Sequence, residues 1–127
     1  MKYLLDTCTL IWVIENSPSL SDKAKEIILS DESEVYFSPV SAWEIGIKIS
    51  LNKLSMTGGL AEAHRTLIEN GFLFLPVKWE HTQLLETLPW HHKDPFDRFL
   101  VSTAIIENMT LITSDSIIQK YDVPVLW

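Results

Sequence analysis

The sequence has a single cysteine, Cys8. No internal disulfide can form, and a disulfide-framed secreted fold is excluded. Positive charge is scarce too. Ten lysines and arginines stand against 17 aspartates and glutamates, a formal net charge of −7. That argues against a bulk basic surface gripping nucleic acid through its phosphates alone. It leaves open a phosphate substrate bridged by a metal ion, because the cation then brings the positive charge. No apolar stretch approaches the ~20 residues of a membrane span. The apolar run at Met1-Lys2-Tyr3-Leu4-Leu5 meets Asp6, too soon for a signal peptide. The expectation is a cytoplasmic protein with no membrane partner. Repeats, low-complexity segments and obvious linkers are also missing. With 127 residues and a 46% hydrophobic fraction, one folded domain spanning 1–127 is expected.

What is present is an alternation of two patterns. Short apolar runs occur at Leu4-Leu5, Val35-Tyr36-Phe37, Phe72 to Val77, Leu111-Ile112-Thr113 and Val123 to Trp127. Continuous runs of this kind suit strands buried on both faces, as in a parallel sheet. Helix-period segments lie between them. Ala24, Ile27 and Ile28 follow a Ser21-Asp22 start. Leu60, Ala63, Leu67 and Ile68 run to Asn70-Gly71. Leu84, Leu85 and Leu88 stop before Pro89, and Phe96, Phe99, Leu100, Thr103 and Ala104 form a fourth set. Strands alternating with helices predict an α/β domain with helices on both faces of the sheet.

One segment carries conflicting signals. Trp43, Ile45, Ile47, Ile49 and Leu51 alternate with polar residues or glycine at strict period 2, which is strand-like. Ser41-Ala42-Trp43-Glu44 is a capping box, which favours a helix start. Such a helix would be apolar on two faces, Ile45 and Ile49 on one and Trp43, Ile47 and Leu51 on the other. Burial on more than one side would follow.

Open α/β sheets bind ligands at the carboxyl ends of their strands. Four acids fall there. Asp6 ends the first strand, Glu44 follows the second, and Asp115 follows the Leu111–Thr113 strand. Asp97 lies in the first turn of the helix opened by Asp94-Pro95-Phe96-Asp97-Arg98. Like charges about 4 Å apart repel by roughly 4 kcal/mol at an effective dielectric of 20. Several together require protonation or a cation among them. All-oxygen carboxylate sites select hard ions such as Mg²⁺ or Mn²⁺. Such an ion activates water and stabilises charge on a phosphodiester. Asp6, Glu44, Asp97 and Asp115 are therefore candidate metal ligands and catalytic groups of a metal-dependent phosphodiesterase.

Each acid also has a purely structural role open to it. Asp6 could cap the helix beginning near Thr9. Glu44 could be the reciprocal partner in the capping box. Asp94 and Asp97 fit the N-cap and third helical position around Pro95. Asp115 could cap Ser116–Lys120. Only their joint placement at one sheet edge favours chemistry. The other polar residues carry less. His91 and His92 fall in a loop at the rim of the site, where a histidine ligand would favour Mn²⁺ or Zn²⁺. His64 and His81 read as helix-surface residues, and Cys8 as a small buried one. Arg98 could meet phosphate or lock a carboxylate such as Asp94. Among five tryptophans, Trp43 and Trp90 are candidates for an interface.

Four motifs together resemble the PIN domain of VapC-type toxins of bacterial and archaeal toxin–antitoxin pairs. They are Leu4-Leu5-Asp6-Thr7, Ser41-Ala42-Trp43-Glu44-Ile45, His92-Lys93-Asp94-Pro95-Phe96-Asp97-Arg98 and Leu111-Ile112-Thr113-Ser114-Asp115. The resemblance spans the chain. It implies an α/β/α sandwich around a parallel sheet, and a helical Ser41–Glu44 segment. It implies Asp6 and Asp97 as principal Mg²⁺ ligands, with Glu44 and Asp115 completing the acidic pocket. Thr7 and Ser114 match hydroxyl positions at the site, and Asp94 is structural. Cys8 departs from the small polar residue expected at its position. The activity implied is endonucleolytic cleavage of RNA, blocked by a cognate antitoxin whose tail occupies the site. Homodimers are implied as well.

The expected function is thus a Mg²⁺- or Mn²⁺-dependent endoribonuclease toxin. Without the four site acids, 13 acidic residues face 10 basic ones. An antitoxin tail carrying arginine or lysine would suit the pocket. Two alternatives are weighed. A phospho-accepting receiver domain needs an acceptor aspartate at the end of the third strand, where this chain has Pro76-Val77, and an acidic pair where it has Asp6-Thr7. A PIN-like binding or regulatory module, with nuclease activity lost or very narrow, is the other.

Overall fold

A computed structural model describes residues 1–127. Five strands form one sheet: β1 (Lys2–Leu5), β2 (Glu34–Phe37), β3 (Leu73–Phe74), β4 (Thr110–Ile112) and β5 (Val125–Leu126). Every pairing is parallel, and the order is β3-β2-β1-β4-β5. Six α-helices connect and flank them: α1 (Thr7–Glu15), α2 (Asp22–Leu29), α3 (Pro39–Ser50), α4 (Gly59–Glu69), α5 (Trp79–Gln83) and α6 (Pro95–Glu107). Short 3₁₀ turns cover Leu84–Glu86 and Ile118–Lys120.

Strand alternation divides the core in two. Leu4 and Leu111 point to one face, where they pack with Leu100, Val101 and Ala104 of α6 and with Tyr121. Tyr3, Leu5, Val35, Phe37 and Ile112 point to the other, against Leu10 of α1, Ala24 of α2 and Leu67 of α4. A central strand buried on both faces must be apolar throughout, and that is why β1 and β4 lack the polar alternation of a half-exposed strand. The three-layer α/β/α architecture and parallel sheet are as expected.

Four local expectations need correction. The helix over Ser41–Glu44 exists but starts three residues earlier. Ser38 is its N-cap, accepting from the Val40 amide at 3.1 Å, and Pro39 takes the first helical position. Ser41 and Glu44 lie inside α3, so the capping box is coincidental. The second apolar face of α3 is open: Trp43 is 64% exposed, with Ile47 and Leu51 beside it. The Phe72–Val77 run yields only two paired residues, on the sheet edge and exposed. Pro76 has no amide to extend that ladder. The helix expected over Leu84–Leu88 is instead α5, Trp79–Gln83, running into a 3₁₀ turn.

The chain winds outward from β1 through β2 to β3, then crosses to place β4 on the opposite side of β1. The sheet's switch point is therefore the crevice between the carboxyl ends of β1 and β4, where ligands of such sheets bind. This order also separates the fold from a receiver domain, whose sheet runs 2-1-3-4-5.

Candidate active site

Asp6 leaves β1 at the switch point and is buried. Its Oδ1 accepts the Thr9 amide at 2.8 Å, capping α1. Its Oδ2 accepts the Thr113 hydroxyl at 2.5 Å. The same Thr113 oxygen accepts the Asp115 amide at 3.0 Å, so one threonine fastens the ends of β1 and β4 together. Asp115 caps the turn that follows, its Oδ1 accepting the Ile117 amide at 2.8 Å.

Asp97 comes from the first turn of α6. Asp94 is the N-cap, its Oδ1 accepting the Phe96 and Asp97 amides at 2.8 and 3.2 Å, and Pro95 is the first helical residue. Asp94 thus has the structural place expected of it. The Asp97 side chain is free of that cap and turns toward His92, whose Nε2 lies 3.2 Å from Asp97 Oδ2 and 2.8 Å from Asp115 Oδ2. Glu44, from α3, completes the set. Its Oε2 pairs with Lys48 at 3.2 Å, while Oε1 is buried without any hydrogen-bond partner.

The electrostatics follow from this crowding. Burial pushes Asp97 up to about 7, reinforced by Asp94, Asp6 and Glu44 and partly offset by His92. Burial also raises Asp6, against the hydrogen bonds from Thr113 and Thr9, and Asp115 adds to the rise. Burial works the same way on Asp115, but the His92 hydrogen bond and the Ile117 amide outweigh it and hold that carboxyl below its ordinary value. Lys48 is the only lysine or arginine in an ion pair with any of the four acids.

These residues fit a divalent cation. An unpartnered buried oxygen costs about 1–3 kcal/mol, which a cation beside Glu44 Oε1 would offset. The donors are carboxylate oxygens, matched to Mg²⁺ or Mn²⁺. Burial first, and neighbouring acids second, raise two of the carboxyls, and a cation would offset both.

Other expectations are revised. The hydroxyl that reaches the acids is Thr113, buried, while Ser114 is exposed. Thr7 donates to the Ser41 hydroxyl at 3.1 Å, tying α1 to α3. Arg98 meets neither a carboxylate nor the pocket. It is buried, donating to the Pro89 and Leu88 carbonyls at 2.7 and 3.2 Å and to the Tyr121 hydroxyl at 3.2 Å. Its guanidinium also stacks 3.6 Å from the centre of the Trp90 ring. The helix itself carried the warning, since residues adjacent on a helix do not share a direction. His81 is fully buried, not a surface residue. Cys8 is exposed. Desolvation, then Asp6, pushes its thiol up to about 11, which disfavours the nucleophilic thiolate. His92 was placed only at the rim by sequence, yet it touches two of the four acids.

The molecule is thus an open α/β domain with a cluster of acidic residues at its switch point. More narrowly, it belongs to the PIN domain family, whose profile matches residues 3–124. Among solved structures, VapBC2 from Rickettsia felis, bound to a DNA fragment from its promoter, is similar with a TM-score of 0.77 and 17% identity, over 99% of this chain and 98% of that one. VapBC-1 from nontypeable Haemophilus influenzae is similar with a TM-score of 0.66 and 18% identity, over 99% and 97%. FitAcB from Neisseria gonorrhoeae gives 0.64 and 18%, over 98% and 96%. At these identities the likeness shows a shared fold. A search of curated proteins gives no match.

Proposed function

We propose that this protein is a Mg²⁺- or Mn²⁺-dependent endoribonuclease, the VapC-type toxin of a toxin–antitoxin pair acting in the cytoplasm. The observation that supports this reading is the clustering of carboxyls near the switch point, where Asp6 and Glu44 act on Asp97 and Asp115 acts on Asp6, with Glu44 Oε1 buried and unpartnered. Asp6 and Asp97 would hold the cation, with Glu44 and Asp115 completing its surroundings. When bound, the ion supplies Lewis acidity, easing deprotonation of water and neutralising charge on the phosphodiester. The chain's own part is positional. Thr113 and the α1 amide fix Asp6, and the Asp94 cap fixes the turn bearing Asp97, which would hold the cation as the carboxylate.

Cleavage of total RNA by antitoxin-free protein tests this, with Mg²⁺, Mn²⁺ or EDTA and with Asp6→Asn and Asp97→Asn alongside. The expected result is discrete, metal-dependent products, lost in both variants. Folded protein that cleaves nothing under either metal would turn the reading toward a binding module.

The acidic pocket suits an antitoxin tail bearing arginine or lysine, and structures of similar fold include a toxin–antitoxin complex from Klebsiella pneumoniae. Purification from the native host is expected to bring down a small partner. The open face of α3, where Trp43 packs edge-on against Phe96 at 5.0 Å, supports homodimer formation. Ile47→Glu is expected to shift the light-scattering mass to that of a monomer.

A further inference from the structure

His92 sits where the cation reading of the pocket is most sensitive. Its Nε2 and the nearest oxygens of Asp97 and Asp115 all lie within 4.8 Å of one another. A ligating imidazole would show the same spacing, so distance does not decide its role. The other ring nitrogen does. Nδ1 accepts the Asp94 backbone amide at 3.1 Å. An accepting Nδ1 carries a lone pair, so the proton of the neutral ring is on Nε2. That proton points at Asp115, with Asp97 Oδ2 3.2 Å from the same nitrogen. Histidines that bind metal do the reverse: they offer a bare nitrogen to the ion and donate through the other one. Ligation here would put the Nδ1 proton directly against the Asp94 N–H.

A flipped ring would lose both contacts, setting carbon against the Asp94 amide and Asp115. The His92 amide donates to the Tyr121 hydroxyl at 2.9 Å, and Tyr121 also receives Arg98. The His92 side chain is only 13% exposed. The arginine that misses the pocket thus secures the loop that carries the histidine.

We propose that His92 is a positioning residue, fixed as the Nε2–H tautomer, which donates to Asp115 beside Asp97 and orients that carboxylate for a divalent cation without ligating it. The inference rests on the cation reading above. It adds which residue sets the aim of Asp115, and it removes nitrogen from the ligand set, leaving oxygen alone.

Two measurements test it. Long-range ¹H–¹⁵N spectra of protein labelled at histidine, with His92→Gln used to assign the ring, are expected to show Nε2 protonated and Nδ1 bare, before and after Mg²⁺. A proton on Nδ1 in either state overturns the proposal. Mn²⁺ affinity, read by electron paramagnetic resonance, is expected to fall about 10–100-fold in His92→Leu. His92→Gln, whose amide can still donate, is expected to keep most of it, and it guards against mere misfolding of the leucine variant. A leucine variant that binds Mn²⁺ like wild type overturns the proposal. Equal losses in both variants, with an Nε2 stripped of its proton by Mg²⁺, overturn it alone. Wild type that binds neither ion overturns the cation reading as well.

Discussion

In two places a backbone amide donates to a histidine Nδ1 while Nε2 faces a carboxylate at 2.8 Å. His81 receives the Lys78 amide and meets Glu107. His92 receives the Asp94 amide and meets Asp115. The surroundings differ. Glu107 also pairs with Lys78 Nζ at 3.2 Å, and the His81 hydrogen bond is the chief reason its carboxyl lies below the ordinary value. That network joins α5 to α6 and is closed in charge. His92 faces a second carboxylate, Asp97, which burial holds up to about 7, with Asp94, Asp6 and Glu44 adding to the rise. The same imidazole geometry completes one network and leaves the other short of positive charge. The shortage, more than the residue types, separates the candidate site from a structural clamp.

The contrast breaks most sharply at the two carboxylates. Asp97→Asn is expected to lower metal-dependent RNA cleavage by at least about 100-fold, while the fold persists. Glu107→Gln is expected to leave the cleavage rate unchanged. Equal losses in the same assay would erase the distinction. His81→Ala comes next. It empties a fully buried position and strands the Lys78 amide and Glu107, at a cost of about 2–4 kcal/mol in urea denaturation. Mn²⁺ affinity should not move.

The pH responses should have opposite signs. Asp97 is raised in the folded state from an ordinary 3.8 to about 7. Between those values the folded protein holds the proton more tightly than the unfolded chain, so metal-free stability falls as pH rises through the interval. Thermal melts from pH 5 to about 7.5 should show that fall, flattened in Asp97→Asn and reversed by Mg²⁺, whose binding strengthens as Asp97 ionises. Glu107 is depressed, so its contribution is present above its ordinary pKa and lost as pH falls through the folded value. Glu107→Gln should remove that acid-side loss. The smallest effect belongs to Lys78→Met, whose half-exposed ion pair is worth less than about 1 kcal/mol.

The strands were legible because burial on both faces forces an apolar run, which needs no partner to be recognised. The gathering of Asp6, Glu44, Asp97 and Asp115 was legible because strand ends and helix starts can be located along a sequence. Finer placement was not. Ser38-Pro39 is itself a helix-start signal, but Ser41 and Glu44 mimic another three residues on, and local pattern cannot rank them. Thr113 and Ser114 are neighbours of like chemistry, and only the path of the chain leaving β4 decides which hydroxyl turns inward. His92 depends on a loop anchored from behind by Arg98 and Tyr121, a long-range arrangement with no periodicity to reveal it.

The link between Asp6 and Thr113 bridges 107 positions of the chain. During synthesis Asp6 emerges first, with Glu44 and Asp97 after it, and the hydroxyl and carboxylate contributed beyond β4 come late. Because β4 is laid down beside β1 only after the other half of the sheet, a polypeptide interrupted before Thr113 holds three of the four acids and nothing to join them. The order in which the ribosome delivers the segments therefore withholds the assembled pocket until β4 has been made.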